Sequence, residues 1–233
     1  MKTIWILWGM WPQASIHFYK MLIQKTQDTH KGEMKNEDYP HLIISNIPVP
    51  DLINTLDEKY NTLKMVNNEA KKLEEAWADF LVMPCNTMHI YQKEILDWVT
   101  IPFLSIIDCV VQHIKDEKIQ KIWVLGTSNT MSSWIYVNLL ESHGIRTILP
   151  EIDSFRCISQ IIKNYISWNI STDDIQNMKK YCDILVQEWA EGIILGCTEL
   201  PLILENYFWE YNFFASSNIL AQYTLTYYQK QLS

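Results

Sequence analysis

Short apolar runs alternate with longer amphipathic segments along the whole chain. Runs that are apolar on both faces are typical of central strands in a parallel sheet. They occur at residues 4–8, 42–45, 80–83, 103–106, 122–125 and 192–195. Segments with helical spacing of apolar residues occur at 14–26, 52–76, 88–96, 130–142, 155–166, 172–188 and 218–229. This alternation predicts an α/β fold with doubly wound parallel sheets.

A weak internal repeat predicts two similar halves. "KTIWILWGM" at residues 2–10 is matched by "KIWVLGTSNTM" at 121–131, and "ADFLVMPCNTMH" at 78–89 by "AEGIILGCTELP" at 190–201. We therefore expect two pseudosymmetric domains facing each other across a cleft, spanning residues 1–100 and 101–209. A C-terminal helix within residues 210–233 is expected to return to the first domain.

Composition and charge narrow the class of protein. The chain has 233 residues and a formal net charge of -8, which argues against a nucleic-acid binder. No apolar run approaches the roughly 18 residues of a membrane span, and the apolar start is expected to be a buried strand rather than a signal peptide. Five cysteines without a CxxC pair favour reduced thiols in a cytoplasmic protein.

Two of the cysteines occupy matching places in the repeat. Cys85 and Cys197 each follow a predicted strand and precede a segment that can begin a helix. Ligands bind at the carboxyl ends of parallel strands, and a helix N-terminus favours a carboxylate or a thiolate. Asn86, Thr87 and Thr198 add side-chain donors beside the two thiols.

Two thiols on opposite faces of a small substrate can invert a stereocentre, because one removes a proton and the other delivers one. The alternative is that free cysteines are packing residues, which is the expectation for Cys109, Cys157 and Cys182. A metal site is a further alternative, because His89 lies four residues after Cys85.

Five segments carry a resemblance to a known family: "GMWPQAS" at 9–15, "PVPDLI" at 48–53, "PCNTMH" at 84–89, "LGTSNTM" at 125–131 and "LGCTELPLIL" at 195–204. Through them the chain resembles the aspartate/glutamate racemases, which are cofactor-independent amino-acid racemases. The resemblance implies a homodimeric enzyme acting on aspartate, glutamate or a related amino acid, with Cys85 and Cys197 as the acid/base pair. It implies no pyridoxal phosphate, nucleotide or metal.

The resemblance also implies roles for residues around the cysteines. The residues expected to line the cleft are Met10, Gln13 and Ser15. Those expected to hold the substrate carboxylate are Asn86, Thr87, Thr127 and Thr198. Glu199 is expected to support Cys197, and Lys163 to offer a cationic contact. Leu52 stands where aspartate racemases tend to carry an arginine, which makes broader specificity plausible.

Other activities stay open at this level. One is isomerisation or decarboxylation of a small dicarboxylate on the same scaffold. Another is a non-catalytic amino-acid-binding protein.

Glycine and tryptophan have unusual shares of the chain. There are 6 glycines and 10 tryptophans, and many tryptophans stand where glycine is expected. One of them, Trp11, lies in the first loop, which is glycine-rich in the family. Predicted helix ends, where glycine is usual, hold Trp77, Trp168 and Trp189. Equivalent positions of two predicted strands hold Trp5 and Trp123. We hypothesise that UGA codons meaning glycine were translated as tryptophan, at these positions and at Trp8, Trp98, Trp134 and Trp209.

Overall fold

The computed structural model describes residues 2–8, 11–30, 32–50 and 56–232. The chain divides into two compact units, Met1–Ile106 with Leu220–Ser233, and Ile107–Ile219. Each unit contains a four-stranded parallel sheet. The predicted α/β class with two parallel sheets is therefore confirmed.

The first sheet is formed by β1 (Thr3–Trp8), β2 (His41–Asn46), β3 (Phe80–Val82) and β4 (Phe103–Leu104), in the order β2-β1-β3-β4. The second is formed by β5 (Lys121–Gly126), β6 (Arg146–Ile148), β7 (Ile193–Gly196) and β8 (Phe213–Ala215), in the order β6-β5-β7-β8. The two orders are the same when each strand is matched with the one four places later. The repeat in the sequence is thus a repeat of strand topology.

The helices connect and flank these strands. They are α1 (Pro12–Thr29), α2 (Leu56–Glu75), α3 (Gln92–Ile95), α4 (Ile106–Asp116), α5 (Ser128–Ser132), α6 (Ile135–Ser142), α7 (Ile152–Ile166), α8 (Thr172–Gln187), α9 (Leu200–Ile203) and α10 (Ser216–Leu232). None of the helices, as far as the structure describes them, is both long and apolar enough to cross a membrane.

The core of each unit lies on its central strands. Strands β3 and β7 are buried along their whole length, as expected for strands covered on both faces. In the first unit, Val66, Ala70 and Leu73 of α2 recur every three or four residues and are buried in one cluster with Leu7 and Leu81. This helical stripe fixes α2 on the sheet.

Some elements differ from the sequence-based expectation. The predicted helix over 130–142 is wrong as a single element, since the chain breaks at Trp134 into α5 and α6. Residues 103–106 contain only a two-residue strand, and Ile106 already begins α4. Residues 88–96 form a 3₁₀ turn, Thr87–Tyr91, followed by the short α3. The edge strands β6 and β8 were not predicted, because neither lies in an apolar run of four residues as the equally short β3 does.

Several helices end in a left-handed residue. Trp77 follows α2 with φ 67°, Gly144 follows α6 with φ 76°, and Trp168 follows α7 with φ 58°. At each end the next amide donates to a carbonyl five residues back, as Ala78 does to Leu73 at 3.1 Å. This is the Schellman arrangement, in which glycine is the usual residue because it has no Cβ. Two of these three helix ends thus hold a tryptophan.

Replacing Trp77 by glycine is expected to raise the free energy of unfolding by about 1–2 kcal/mol, since the left-handed conformation penalises any Cβ. Little burial is lost, because Trp77 is 90% exposed. Trp77→Ala keeps the Cβ and should give little of this gain. Urea unfolding of the parent and both variants measures the difference. Equal stability of the glycine and alanine variants would contradict the explanation.

Candidate functional site

Strand register places the two cysteines at equivalent positions of their sheets. Trp5 of β1 pairs with Leu81 of β3, and Trp123 of β5 pairs with Ile193 of β7. Cys85 lies four residues after Leu81, and Cys197 lies four residues after Ile193. Each cysteine therefore leaves the carboxyl edge of its sheet at the same point, where ligands bind in parallel α/β sheets.

Cys85 is half-buried, and its amide donates to the carbonyl of Met83 at 2.8 Å. Asn86 beside it is buried and Thr87 is half-buried. The helix expected after Cys85 is only the five-residue 3₁₀ turn, and the one after Cys197 is the four-residue α9. Helices this short carry little macrodipole, so hydrogen bonds from nearby side chains matter more here.

His89 ties the Cys85 turn to Ile106, the first residue of α4. Its Nδ1 lies 2.7 Å from the Cys85 carbonyl oxygen, and the Ile106 amide lies 3.1 Å from its Nε2. A carbonyl can only accept and an amide can only donate, so Nδ1 carries the proton and Nε2 is bare. Burial lowers the pKa of His89 to about 4, so the ring is neutral near pH 7.

Both ring nitrogens of His89 are therefore engaged, which leaves neither for a metal ion. The sequence pattern suggested His89 only as a metal ligand. The spacing of four residues from Cys85 is the feature of the sequence that points to His89. In the structure the ring bonds to the backbone carbonyl of Cys85 and not to its thiol. His89 is thus a residue of the site whose role the sequence did not predict.

Cys197 lies beside a buried carboxyl group. Its Sγ donates to Oε2 of Glu199 at 3.0 Å, and the Thr198 hydroxyl donates to the same oxygen at 2.9 Å. All three residues are buried. Burial raises the pKa of Glu199, partly offset by the hydrogen bonds from Cys197 and Thr198. The second carboxyl oxygen, Oε1, is buried without a hydrogen-bond partner in the described part of the chain.

Two glycines allow the strands that lead to Cys197 and Thr127 to come close together. Gly126 pairs with Gly196, and a Cβ on either would lie 3.0 Å from a backbone oxygen of the other strand. Thr127 follows directly and begins α5, where its hydroxyl accepts from the Thr130 amide at 3.2 Å. Thr127 and Cys197 thus leave adjacent strands at the same edge.

The other expected site residues are distributed as follows. Gln13 and Ser15 lie in the first turn of α1, directly after β1, and Ser15 Oγ lies 3.5 Å from Asn46 Oδ1 at the end of β2. The side-chain oxygen of Gln13 is buried and has no partner among the described residues. Lys163 is exposed near the end of α7 and forms no ion pair within the described ranges. Met10 and Leu52 lie outside the described residues.

The remaining cysteines have different surroundings. Burial raises the pKa of the Cys109 and Cys182 thiols to about 12, as expected for packing residues. The expectation that Cys157 is a packing residue is wrong, because this side chain is exposed on α7. It does not follow a strand, so the repeat of strand and cysteine involves Cys85 and Cys197 alone among these five.

Comparison with known proteins agrees with this architecture. The family model described as Asp/Glu/Hydantoin racemase matches residues 7–208. The chain belongs to this family. The expected resemblance to aspartate/glutamate racemases is thereby confirmed.

Individual relatives cover almost the whole chain. The broad specificity amino-acid racemase RacX of Bacillus subtilis is 30% identical over 228 residues, which are 97% of each chain. The structure of an aspartate racemase homologue from Pyrococcus horikoshii has a TM-score of 0.78 at 27% identity, covering 97% of this chain and 98% of that one. The Picrophilus torridus aspartate racemase has a TM-score of 0.75 at 25% identity, covering 97% and 94%.

The buried His89 predicts a loss of stability in acid. An unfolded imidazole takes up its proton near pH 6.5, whereas the folded one stays neutral down to about pH 4. Because the unfolded state binds more protons between these values, lowering the pH should reduce the free energy of unfolding by up to about 3 kcal/mol. Urea unfolding from pH 7 to 4 should show this loss in the parent but not in His89→Gln. The control is replacement of the exposed His143 by glutamine, which should leave the loss of stability in acid unchanged. If His143→Gln removed this loss as fully as His89→Gln, the assignment of the loss to His89 would be refuted.

Glu199 predicts a trend in the opposite direction. Its raised pKa means that the folded state holds a proton that the unfolded chain has released above about pH 4.5. The stability of the parent relative to Glu199→Gln should therefore be highest below pH 4.5 and fall as the pH rises. Glu205→Gln, at an exposed position, is the matched control. A difference that stays flat with pH would contradict a buried, protonated carboxyl group.

Proposed function

We propose that the protein is a cofactor-independent amino-acid racemase of broad specificity, in which Cys85 and Cys197 are the acid and the base. The thiolate of one cysteine removes the Cα proton, and the thiol of the other delivers a proton to the opposite face. The developing charge spreads onto the substrate carboxylate. The C–H bond that breaks on one face is replaced by one that forms on the other, so no oxidant or co-reactant is consumed.

The equivalent register of the two cysteines is the observation that carries this proposal. A two-base reaction needs one thiol on each face of the substrate carbon. The equivalent position of a thiol at the carboxyl edge of each sheet supports this proposal. Cys109 and Cys182, by contrast, lie within helices α4 and α8.

Neutral hydrogen-bond donors near each thiol can bind the α-carboxylate, which all amino acids share. We assign the substrate carboxylate to the side-chain donors of Asn86, Thr87 and Thr127. Because the Thr198 hydroxyl donates to Glu199, we assign the backbone amide of Thr198 to the same carboxylate. Met10, Gln13 and Ser15 are assigned to the lining of the first unit's part of the site. Glu199 positions Cys197 through the 3.0 Å hydrogen bond to its sulfur.

The choice of side chain is expected to be wide. Leu52 provides no cation, and Lys163 is an exposed lysine with no ion pair among the described residues. A bidentate arginine clamp for a second carboxylate is thus missing from the matching position. The relative RacX, with 30% identity, is itself described as a broad specificity racemase. We therefore place neutral amino acids among the substrates, beside aspartate and glutamate.

The direct test is exchange of the α-hydrogen in D₂O, followed by proton NMR and chiral chromatography. L-aspartate, L-glutamate and a panel of neutral L-amino acids would each be incubated with the protein. Loss of the Cα–H signal together with the D-enantiomer supports the proposal. Consumption of a small dicarboxylate without racemisation would indicate an isomerase or decarboxylase. Binding without exchange would indicate a non-catalytic amino-acid-binding protein.

Replacing either cysteine of the pair should abolish inversion. Cys85→Ser and Cys197→Ser are each expected to lower the racemisation rate by about 10²–10⁴-fold, since an alcohol is a far weaker acid/base at neutral pH. Cys157→Ser, at an exposed position on α7, should keep the parental rate. Circular dichroism checks that the variants fold. Full racemisation by either of the first two variants would overturn the two-cysteine mechanism.

A further inference from the structure

Backbone conformation separates the tryptophans from the other residue types. Seven non-glycine residues in the described ranges have positive φ, and six of them are tryptophan. They are Trp11, Trp77, Trp98, Trp134, Trp168 and Trp189, with φ between 58° and 91°. Only ten residues of the 233 are tryptophan, so this concentration follows the residue type and not the number of turns. A bulky side chain is a genuine outlier in this region, whereas glycine enters it freely.

The hydrogen bonds around two of these residues, Trp77 and Trp168, match those around a glycine in the same chain. Gly144 donates to Glu141 at 2.9 Å, and the following amide donates to Leu140 at 3.1 Å. Trp168 donates to Tyr165 at 3.0 Å, and Asn169 donates to Asn164 at 2.8 Å. The same motif thus closes α6 with glycine and α7 with tryptophan.

The side chains of four of these six tryptophans contribute little packing. Trp77, Trp98, Trp168 and Trp189 are 80–90% exposed, which is unusual for the largest apolar side chain. The buried tryptophans are no better satisfied. Trp5 and Trp123 occupy equivalent positions of β1 and β5, and each indole N–H is buried without a partner among the described residues.

Strand register gives an independent match for one more position. Trp5 and Trp123 align the two central strands, so Trp8, the last residue of β1, is equivalent to Gly126, the last residue of β5. In the second unit that glycine allows close approach to the strand leading to Cys197. In the first unit, Trp8 ends β1, which pairs with β3, the strand that leads to Cys85.

We propose that glycine is the natural residue at the tryptophan positions of this chain. The gene encodes this glycine with UGA, a codon whose translation as tryptophan gives the tryptophans of the sequence. Conformation carries the proposal at the six positive-φ positions, and register carries it at Trp8. Replacing all ten would give 16 glycines in 233 residues, close to the usual share of about 7%. Composition extends the proposal to Trp5, Trp123 and Trp209.

Two measurements on the source organism decide the proposal. Sequencing the gene should give UGA at these positions, and UGG at any of them would overturn it there. Tandem mass spectrometry of the protein isolated from the source cells should show glycine in the peptides that span Trp77 and Trp168. Tryptophan in those peptides would overturn the proposal as a whole.

A third measurement tests the conformational argument on recombinant protein. A variant with glycine at all six positive-φ positions should melt about 10 °C or more above the parent. A matched variant with alanine at the same six positions keeps every Cβ and should melt well below the glycine variant. Lys118→Gly, at the positive-φ position of the described residues that holds neither tryptophan nor glycine, calibrates the gain for a single site. A parent that melts as high as the glycine variant would refute the argument.

A parent that fails to fold while the glycine variant folds would also support it. These measurements do not depend on racemase activity. A catalytically silent protein can still melt higher with glycine, and an active one can still carry tryptophan.

Discussion

The parallel pairing of each central strand with the strand that leads to a cysteine is the constraint on which the site depends. Trp5 with Leu81, and Trp123 with Ile193, fix where each chain leaves its sheet. A slip of one residue would turn every side chain of the strand to the other face. Burial of β3 and β7 on both faces prevents such a slip, because it would leave apolar groups mismatched on two sides. The core therefore determines the position of both thiols.

The two units hold their cysteines in different ways. In the first, His89 binds the backbone carbonyl of Cys85 and leaves the half-buried thiol to other groups. In the second, Glu199 accepts from the thiol of Cys197 itself. A carboxylate there would oppose formation of a thiolate, whereas a protonated carboxyl group would not. The raised pKa of Glu199 favours its protonated form and thus lowers the electrostatic cost of a thiolate at Cys197.

How much of this was predictable depends on the length and burial of each element. Strands β1, β3, β5 and β7 and the long helices were predicted, because their apolar patterns are unbroken. The edge strands β6 and β8 were not, since neither coincides with an apolar run of four residues, although Phe214 and Ala215 of β8 are buried. The cysteine pair was predicted from the repeat. The hydrogen bond from the His89 ring to the Cys85 carbonyl was not predicted. Such a bond depends on backbone geometry, which a pattern of side chains does not contain.

The left-handed helix ends follow from the same architecture. In each unit a helix must stop and reverse into a buried strand within a few residues: α2 ends at Glu75 and β3 begins at Phe80, while α8 ends at Gln187 and β7 begins at Ile193. A residue with positive φ makes this reversal compact, and Lys118 shows that a Cβ is tolerated at one such site.

At the six tryptophans with positive φ, the summed free-energy cost of this conformation is much larger than at Lys118 alone. At about 1–2 kcal/mol each, they would cost about 6–12 kcal/mol. That approaches the whole stability of a typical protein, about 5–15 kcal/mol. Four of the six indole rings are 80–90% exposed and provide little burial to offset it. The folding energy of this architecture therefore favours glycine at these turns, whatever reaction the protein catalyses.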